Sequence, residues 1–275
     1  VYDAATARIP LATRFDAPHI VVPAGEACKR YDVLLGVIDA FVAAGIPRGG
    51  VVAAVGGGAV TDLTAFAASV YFRGISVVLI PSTLLAMVDA AVGGKTGIDH
   101  GGYKNIVGSF HPAAEVRICP ALLDTLPERE YRSGLAEVIK AALLDDDELL
   151  TLLESKREAV LNRDPAVVDT LVTRAIGVKA RVVEADFTES GVRAHLNLGH
   201  TFGHALESVA GLGAWTHGEA VAWGIARAMR AGVRLGTTDP AWSERVITLL
   251  TAYGYETGPA SYAPEAIVAA MRNDK

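Results

Sequence analysis

Cysteine is nearly missing from this chain: Cys28 and Cys119 are the only two among 275 residues. Two thiols cannot staple a disulfide framework, so a reducing, cytoplasmic setting is expected. Long hydrophobic runs are missing as well. The most apolar region, Val51 to Pro81, is broken by Asp62, Arg73 and several glycines, so it reads as buried strand, helix and strand and not as a membrane span. Positive charge is in deficit: 25 Lys and Arg stand against 31 Asp and Glu, a net charge of −6, and no basic block or helix stands out. Nucleic acid is therefore not an expected partner. No secretory leader pattern, internal repeat or low-complexity tract is visible. What is present is a globular composition, 51% hydrophobic and 20% charged, long enough for one large domain or two smaller ones.

Two textures divide the sequence. In the first, His19-Ile20-Val21-Val22-Pro23 reads as a short strand. Val33, Leu34, Val37, Ile38, Phe41 and Val42 recur at helical spacing from Tyr31 to Ala44. Val51 to Val55 is the continuous apolar run of a strand buried on both faces of a parallel sheet. Gly56-Gly57-Gly58 follows it directly, a helix is expected from near Thr61-Asp62, and Ser76 to Ile80 completes a strand–turn–helix–strand unit. Asp89 to Gly108 is glycine-rich and without periodicity, and reads as loops around a site. Val116 to Cys119 reads as a last short strand. From Pro127 the pattern is helical: Glu130 to Lys156, Pro165 to Ala185, His200 to Val209, Glu219 to Leu235, Ala241 to Tyr253 and Pro264 to Met271. The expected architecture is an α/β domain with a parallel sheet over residues 1–124, then an all-α domain over 125–275.

The residues that carry chemistry fall in both halves. His200 and His204 are four apart, which lays both imidazoles on one helix face; His217 follows, and Glu137 sits on an otherwise apolar helix where an unpaired carboxylate is costly. One glutamate and two histidines with an open position form the ligand set of a catalytic zinc. The spacing leaves open which two of the three histidines serve. The glycine turn after a buried strand lets backbone N–H groups approach a phosphate at a helix N-terminus. Its Gly-Gly-Gly-x-x-x-Asp spacing matches neither the usual dinucleotide fingerprint nor a Walker loop, and Asp62 is also readable as the helix N-cap. Pro81 to Asp89 puts hydroxyls and a carboxylate past the C-terminal end of a strand, the edge where open parallel sheets bind ligands. Lys95 and Lys104 lie in glycine-rich loops. Arg193 and Asn197 precede His200 by seven and three residues, close to the metal position. Lys179 is readable as a solvent-facing lysine.

Seven runs occur in a fixed order: Gly56-Gly57-Gly58-Ala59-Val60-Thr61-Asp62, Pro81 to Asp89, Gly93-Gly94-Lys95-Thr96-Gly97, Lys104-Asn105, Leu135-Ala136-Glu137-Val138-Ile139-Lys140, Asn197 to His204, and His217-Gly218-Glu219-Ala220. Together, over roughly Pro23 to Lys275, they resemble the 3-dehydroquinate synthase family of sugar-phosphate cyclases, which is distantly similar to iron- and zinc-dependent polyol dehydrogenases. The resemblance implies a nucleotide-binding α/β domain followed by a helical domain, NAD, and one divalent metal, zinc or cobalt. It implies conversion of 3-deoxy-D-arabino-heptulosonate 7-phosphate to 3-dehydroquinate and phosphate, with NAD regenerated in each cycle. The implied metal ligands are Glu137, His200 and His217. Glu26, Lys29, Gly56, Gly57, Gly58, Asp62, Thr83 and Asp89 are the implied NAD residues. Lys95, Lys104, Asn105, Lys140, Lys179, Arg193, Asn197 and His204 are implied around the substrate. Arg73 matches a family arginine that reaches the substrate phosphate of a neighbouring subunit, which implies a homodimer.

The family also carries a strand before the position of Val1 and, after the final Asp274-Lys275, a segment with a further substrate lysine. The expectation is that these 275 residues are a fragment or an ordered part of a longer protein. Three other readings stand against the main one: a sister cyclase acting on another sugar phosphate such as sedoheptulose 7-phosphate, a polyol dehydrogenase with net redox turnover, and an inactive module retaining the fold. Gly199-His200-Thr201-Phe202-Gly203-His204 and Arg193 speak against the first. Lys95, Lys104 and Arg193, an anion clamp that a neutral polyol does not need, speak against the second.

Overall fold

The computed structural model describes residues 1–9, 16–211 and 213–272, and the chain divides into two compact units, Val1–Leu126 and Pro127–Lys275. The expectations attached to Asp274-Lys275 lie outside the described residues. In the first unit, β1 (Tyr2–Asp3), β2 (Val21–Val22), β3 (Val51–Gly56), β4 (Ser76–Pro81) and, at its edge, Glu115–Val116 form a parallel five-stranded sheet. The last of these is β7, and the order is β2-β1-β3-β4-β7. The long pair β3–β4 runs in register from Val51 opposite Ser76 to Gly56 opposite Pro81. Val52, Ala54, Val55, Val77, Leu79 and Ile80 are buried, as strands covered on both faces require. Helix α1 (Tyr31–Ala43) turns Leu34, Val37 and Phe41 inward, and α2 (Gly58–Val70) adds Leu63, Phe66 and Ala67 to the same core. Cys28 belongs to that core, and burial pushes its thiol up to about 12, so it stays neutral.

Several expectations are corrected here. Tyr2–Asp3 pairs between β2 and β3, and two residues are too few to show any periodicity. Helix α2 begins at Gly58 with Gly57 as N-cap, so Asp62 lies inside the helix and does not cap it. Most of the stretch read as loops, Asp89 to Gly108, is ordered. A π-helical turn spans Ala86–Ala90, and β5 (Lys95–His100) and β6 (Tyr103–Phe110) form an antiparallel hairpin. Glycine masked the alternation because it serves close approach: a Cβ on Gly108 would strike the carbonyl of Thr96, and one on Gly97 would come within 2.9 Å of the Val107 carbonyl. Thr96 Oγ1 donates across the pair to the Ser109 carbonyl at 2.8 Å.

The second unit is helical: α3 (Glu128–Asp145), α4 (Asp147–Ser155), α5 (Arg157–Leu161), α6 (Pro165–Ala185), α7 (His200–Ala210), α8 (His217–Leu235), α9 (Pro240–Ala252) and α10 (Pro264–Met271). The single helix expected over Glu130 to Lys156 breaks at Asp146. Its carboxylate accepts from Leu149 N at 2.8 Å, capping α4, and from Arg174 Nη2 at 2.8 Å. Helix α8 starts two residues before Glu219 through a capping box, in which Thr216 Oγ1 accepts from Glu219 N and Glu219 accepts from Thr216 N. Small residues set how α8 packs. A Cβ on Gly224 would collide with the carbonyl of Gly199, and one on Gly218 with the carbonyl of Ser133. Helix α8 therefore lies against both α7 and α3. No helix among the described residues is long and apolar enough to cross a membrane.

Candidate functional site

In the helical unit, α3 presents Glu137 and Lys140 one turn apart, both ionisable and only 2% and 4% exposed. Lys140 Nζ pairs with Glu137 Oε2. The other carboxylate oxygen, Oε1, is buried and accepts no hydrogen bond. It faces two imidazoles, His217 Nε2 at 3.5 Å and His200 Nε2 at 3.8 Å. The two glycine contacts just described produce this convergence, since they bring the first turn of α8 over α3 and the first turn of α7 against α8. One ligand atom from each of Glu137, His200 and His217 lies within 4.8 Å of the others. His204 stands beside them, its ring centroid 5.2 Å from that of His200 and 6.1 Å from that of His217.

The electrostatics suit a cation at this point. Burial opposes charge on Glu137, but Lys140 and the two histidines hold its carboxyl well below the usual range. Burial, reinforced by the charge of Lys140, pushes His200 down to about 3 and keeps it neutral, the form that binds metal. Burial also pulls His217 down, but contacts with Glu137 and Glu207 outweigh it and hold the imidazole up at about 9. In the metal-free protein the positive charge that Oε1 faces is that of the protonated His217. A divalent ion bound by Oε1 and the two Nε2 atoms would take that place, so the donor set fits zinc with an open coordination position.

Three further predicted residues of this unit are placed by local elements. Lys179 lies on α6, 8% exposed, not in solvent. Arg193 is 1% exposed on a 3₁₀ turn spanning Val192–Asn197, where its guanidinium donates to the Phe187 carbonyl. Asn197 ends that turn, exposed, and donates to Glu189 Oε1 at 3.2 Å. The loop leading to Arg193 is folded around Asp186. Its carboxylate accepts from the backbone of Ser190, Gly191 and Arg193 at 2.7–3.0 Å, and these bonds, with Ser190 and Arg193 the strongest, draw it down to about 2.

In the α/β unit the glycine turn is built for a close ligand. Gly57 caps α2 with no side-chain bond to the helix N-terminus. A Cβ on Gly57 would meet Thr83 Cγ2 at 3.3 Å, and one on Gly58 would meet Ala90 Cβ at 3.1 Å. Gly57 and Thr83, and Gly58 and the turn carrying Asp89, are therefore neighbours. An uncapped helix N-terminus with bare backbone fits the phosphates of a dinucleotide. Thr83 Oγ1 accepts from Ala86 N at 3.2 Å, and Asp89 is half-buried. Glu26 is exposed on the 3₁₀ turn Gly25–Cys28. Lys29 is buried, and its ammonium bonds Asp62 at 2.7 Å and Asn105. Asp99, which accepts from Asn105 N at 2.8 Å, belongs to the same network. Lys95 and Lys104 stand exposed on the hairpin strands, not in loops. Arg73 is exposed after α2 has ended, in a left-handed pair with Phe72 (φ 65° and 50°).

Sequence reasoning missed Glu207, Asp186 and Asp99. Only Glu207 had a signal: it follows His200 by seven residues and so lies on the same helix face.

Solved structures of sugar-phosphate cyclases share this architecture. A 2-epi-5-epi-valiolone synthase from Streptomyces hygroscopicus subsp. jinggangensis, with NAD+ and Zn2+ bound, superposes with a TM-score of 0.90 over 99% of this chain and 78% of that one, at 31% identity. A 2-deoxy-scyllo-inosose synthase complexed with carbaglucose-6-phosphate, NAD+ and Co2+ follows at 0.85, covering 94% and 70%, at 27% identity. Within that class the chain belongs to the 3-dehydroquinate synthase family. The models of its N-terminal and C-terminal parts match residues 19–133 and 134–275. The 3-dehydroquinate synthase of Saccharophagus degradans is 44% identical over 260 residues, 94% of this chain and 72% of that protein.

Proposed function

We propose that the chain converts 3-deoxy-D-arabino-heptulosonate 7-phosphate to 3-dehydroquinate and phosphate, a step of the shikimate pathway, as a carbon–oxygen lyase using NAD and one zinc or cobalt ion. The observation that carries the reading is the Glu137–His200–His217 cluster, in which the buried Glu137 turns an oxygen without a hydrogen bond toward both imidazoles, in a chain of this family. NAD and the metal, when bound, supply reversible oxidation at one carbon and acidification of a hydroxyl. Everything else falls to the chain's own side chains. Gly56, Gly57 and Gly58 leave room for the dinucleotide, with Glu26, Thr83 and Asp89 beside it, while Lys29 acts from behind by fixing Asp62 and Asn105. Lys95, Lys104 and Arg193 neutralise the phosphate and the carboxylate of the substrate. Lys140, already paired with Glu137, donates to substrate oxygens at the metal. Lys179, Asn197 and His204 complete the polar lining. Arg73 serves the site of a second copy, so the working form is a homodimer, in the cytoplasm.

The likeness to 2-epi-5-epi-valiolone synthase favours one other reading, a sister cyclase acting on sedoheptulose 7-phosphate. That sugar phosphate has no carboxylate, and the buried guanidinium of Arg193 suits one. The two readings separate in a phosphate-release assay on both sugar phosphates with NAD and zinc. Release from the heptulosonate phosphate alone is expected; release from sedoheptulose 7-phosphate alone would replace the proposal with the sister reading.

A further inference from the structure

The helix that carries His200 and His204 carries a carboxylate one turn further on. Glu207 follows His204 by three residues, so the three side chains leave one face of α7. Its side chain is 13% exposed, and its Oε2 lies 3.4 Å from Nδ1 of His217 on α8. The other nitrogen of that ring, Nε2, lies 3.5 Å from Glu137 Oε1. The imidazole is thus held end to end between two carboxylates from two other helices. A histidine that gives Nε2 to a metal keeps its proton on Nδ1, and that N–H needs an acceptor. His200 meets the same need differently: its Nδ1 lies 3.4 Å from the Leu198 carbonyl. One ligand is therefore oriented by backbone and the other by a side chain that mutation can remove.

We propose that Glu207 is the positioning residue of the metal centre: it accepts the Nδ1 proton of His217 and so fixes the tautomer and ring orientation that turn Nε2 toward the ion beside Glu137. The proposal rests on the metal reading of Glu137, His200 and His217. A rival arrangement exists in the same side chains, because His204, Glu207 and His217 also place ligand atoms within 4.8 Å of one another. In that arrangement Glu207 would hold an ion of its own.

Zinc affinity, measured by competition with a chromophoric chelator on the whole protein, separates these roles. The set is wild type, Glu207→Gln, Glu207→Ala and His217→Ala, each also loaded with cobalt for its visible absorption. One zinc per chain is expected in the wild type and in both Glu207 variants, with affinity falling about 10–100-fold in Glu207→Ala and less in Glu207→Gln, which keeps an acceptor. The cobalt band should shift in Glu207→Ala, and thermal stability in excess chelator should change little. Unchanged zinc affinity with a lower metal-free melting temperature would overturn the proposal and leave Glu207 a helix-packing residue. Two zinc ions in the wild type falling to one in Glu207→Ala would overturn it in favour of the second site. A wild type without stoichiometric zinc, or one whose zinc survives in His217→Ala, would remove the metal reading beneath it.

Discussion

His217 is charged in the metal-free protein up to about pH 9, while its ordinary value is 6.5. Its folded value is raised, so its contribution to metal-free stability is complete below pH 6.5 and is lost as pH rises through 9. His200 has the opposite sign: held down at about 3, it costs nothing above pH 6.5 and destabilises the fold increasingly as pH falls from 6.5 toward 3. Zinc must displace the proton on His217. Its affinity is therefore expected to fall about tenfold for each unit of pH lowered from 8.5 to 6.5, read by chelator competition. A flat profile in that range would mean that His217 is not a ligand. The residue types of the cluster were legible, because a glutamate on an apolar helix and histidines at helical spacing are rare without a reason. Glu207 was not, because its purpose depends on which ring nitrogen of His217 faces it, and that is set by the packing of a different helix. Lys29 was legible only in part. The resemblance implied a cofactor contact, whereas its ammonium is committed to Asp62 and Asn105 across 33 and 76 residues of sequence.

At the scale of elements, burial decided what could be read. The helices and the β3–β4 pair announced themselves through apolar period. The hairpin Lys95–His100 with Tyr103–Phe110 did not, because glycines fill the places where a strand would show side chains, and its outer strand is exposed. The break at Asp146 was hidden because one carboxylate ends α3 and caps α4 without interrupting the charged pattern. The crossing of α7 and α8 was equally silent, though it sets the separation of His200 and His217. Gly224→Ala tests it. The new Cβ meets the Gly199 carbonyl, a rigid backbone atom, so a loss of about 1–3 kcal/mol in urea unfolding is expected, together with weaker zinc binding. Wild-type stability and zinc affinity would show that the crossing has slack. Gly236→Ala is a useful contrast: its Cβ would meet nothing, but its φ of 72° requires a left-handed residue, so it should cost stability while leaving zinc binding unchanged.

At the scale of the molecule, the division into an α/β and a helical half was visible as a change of texture near Asp124, and the structure parts at Leu126. The short strand at Tyr2–Asp3, which completes the sheet, was not. Arg73 raises the question of assembly. Its left-handed backbone beside Phe72 is uncommon for two successive non-glycine residues, and its side chain is exposed. If Arg73 serves a partner's site, mixing Arg73→Ala with Arg193→Ala protein should restore activity above either alone, through hybrid dimers with one intact site. No rescue between subunits shown to exchange would confine Arg73 to its own chain. The central claim, a cyclase that oxidises and re-reduces its substrate within one turnover, is tested most directly by counting phosphate released per NAD while following NADH absorbance. The expected result is many phosphates per NAD from 3-deoxy-D-arabino-heptulosonate 7-phosphate with no growth in NADH; NADH accumulating in step with product, or no phosphate release by zinc-loaded protein, would contradict it.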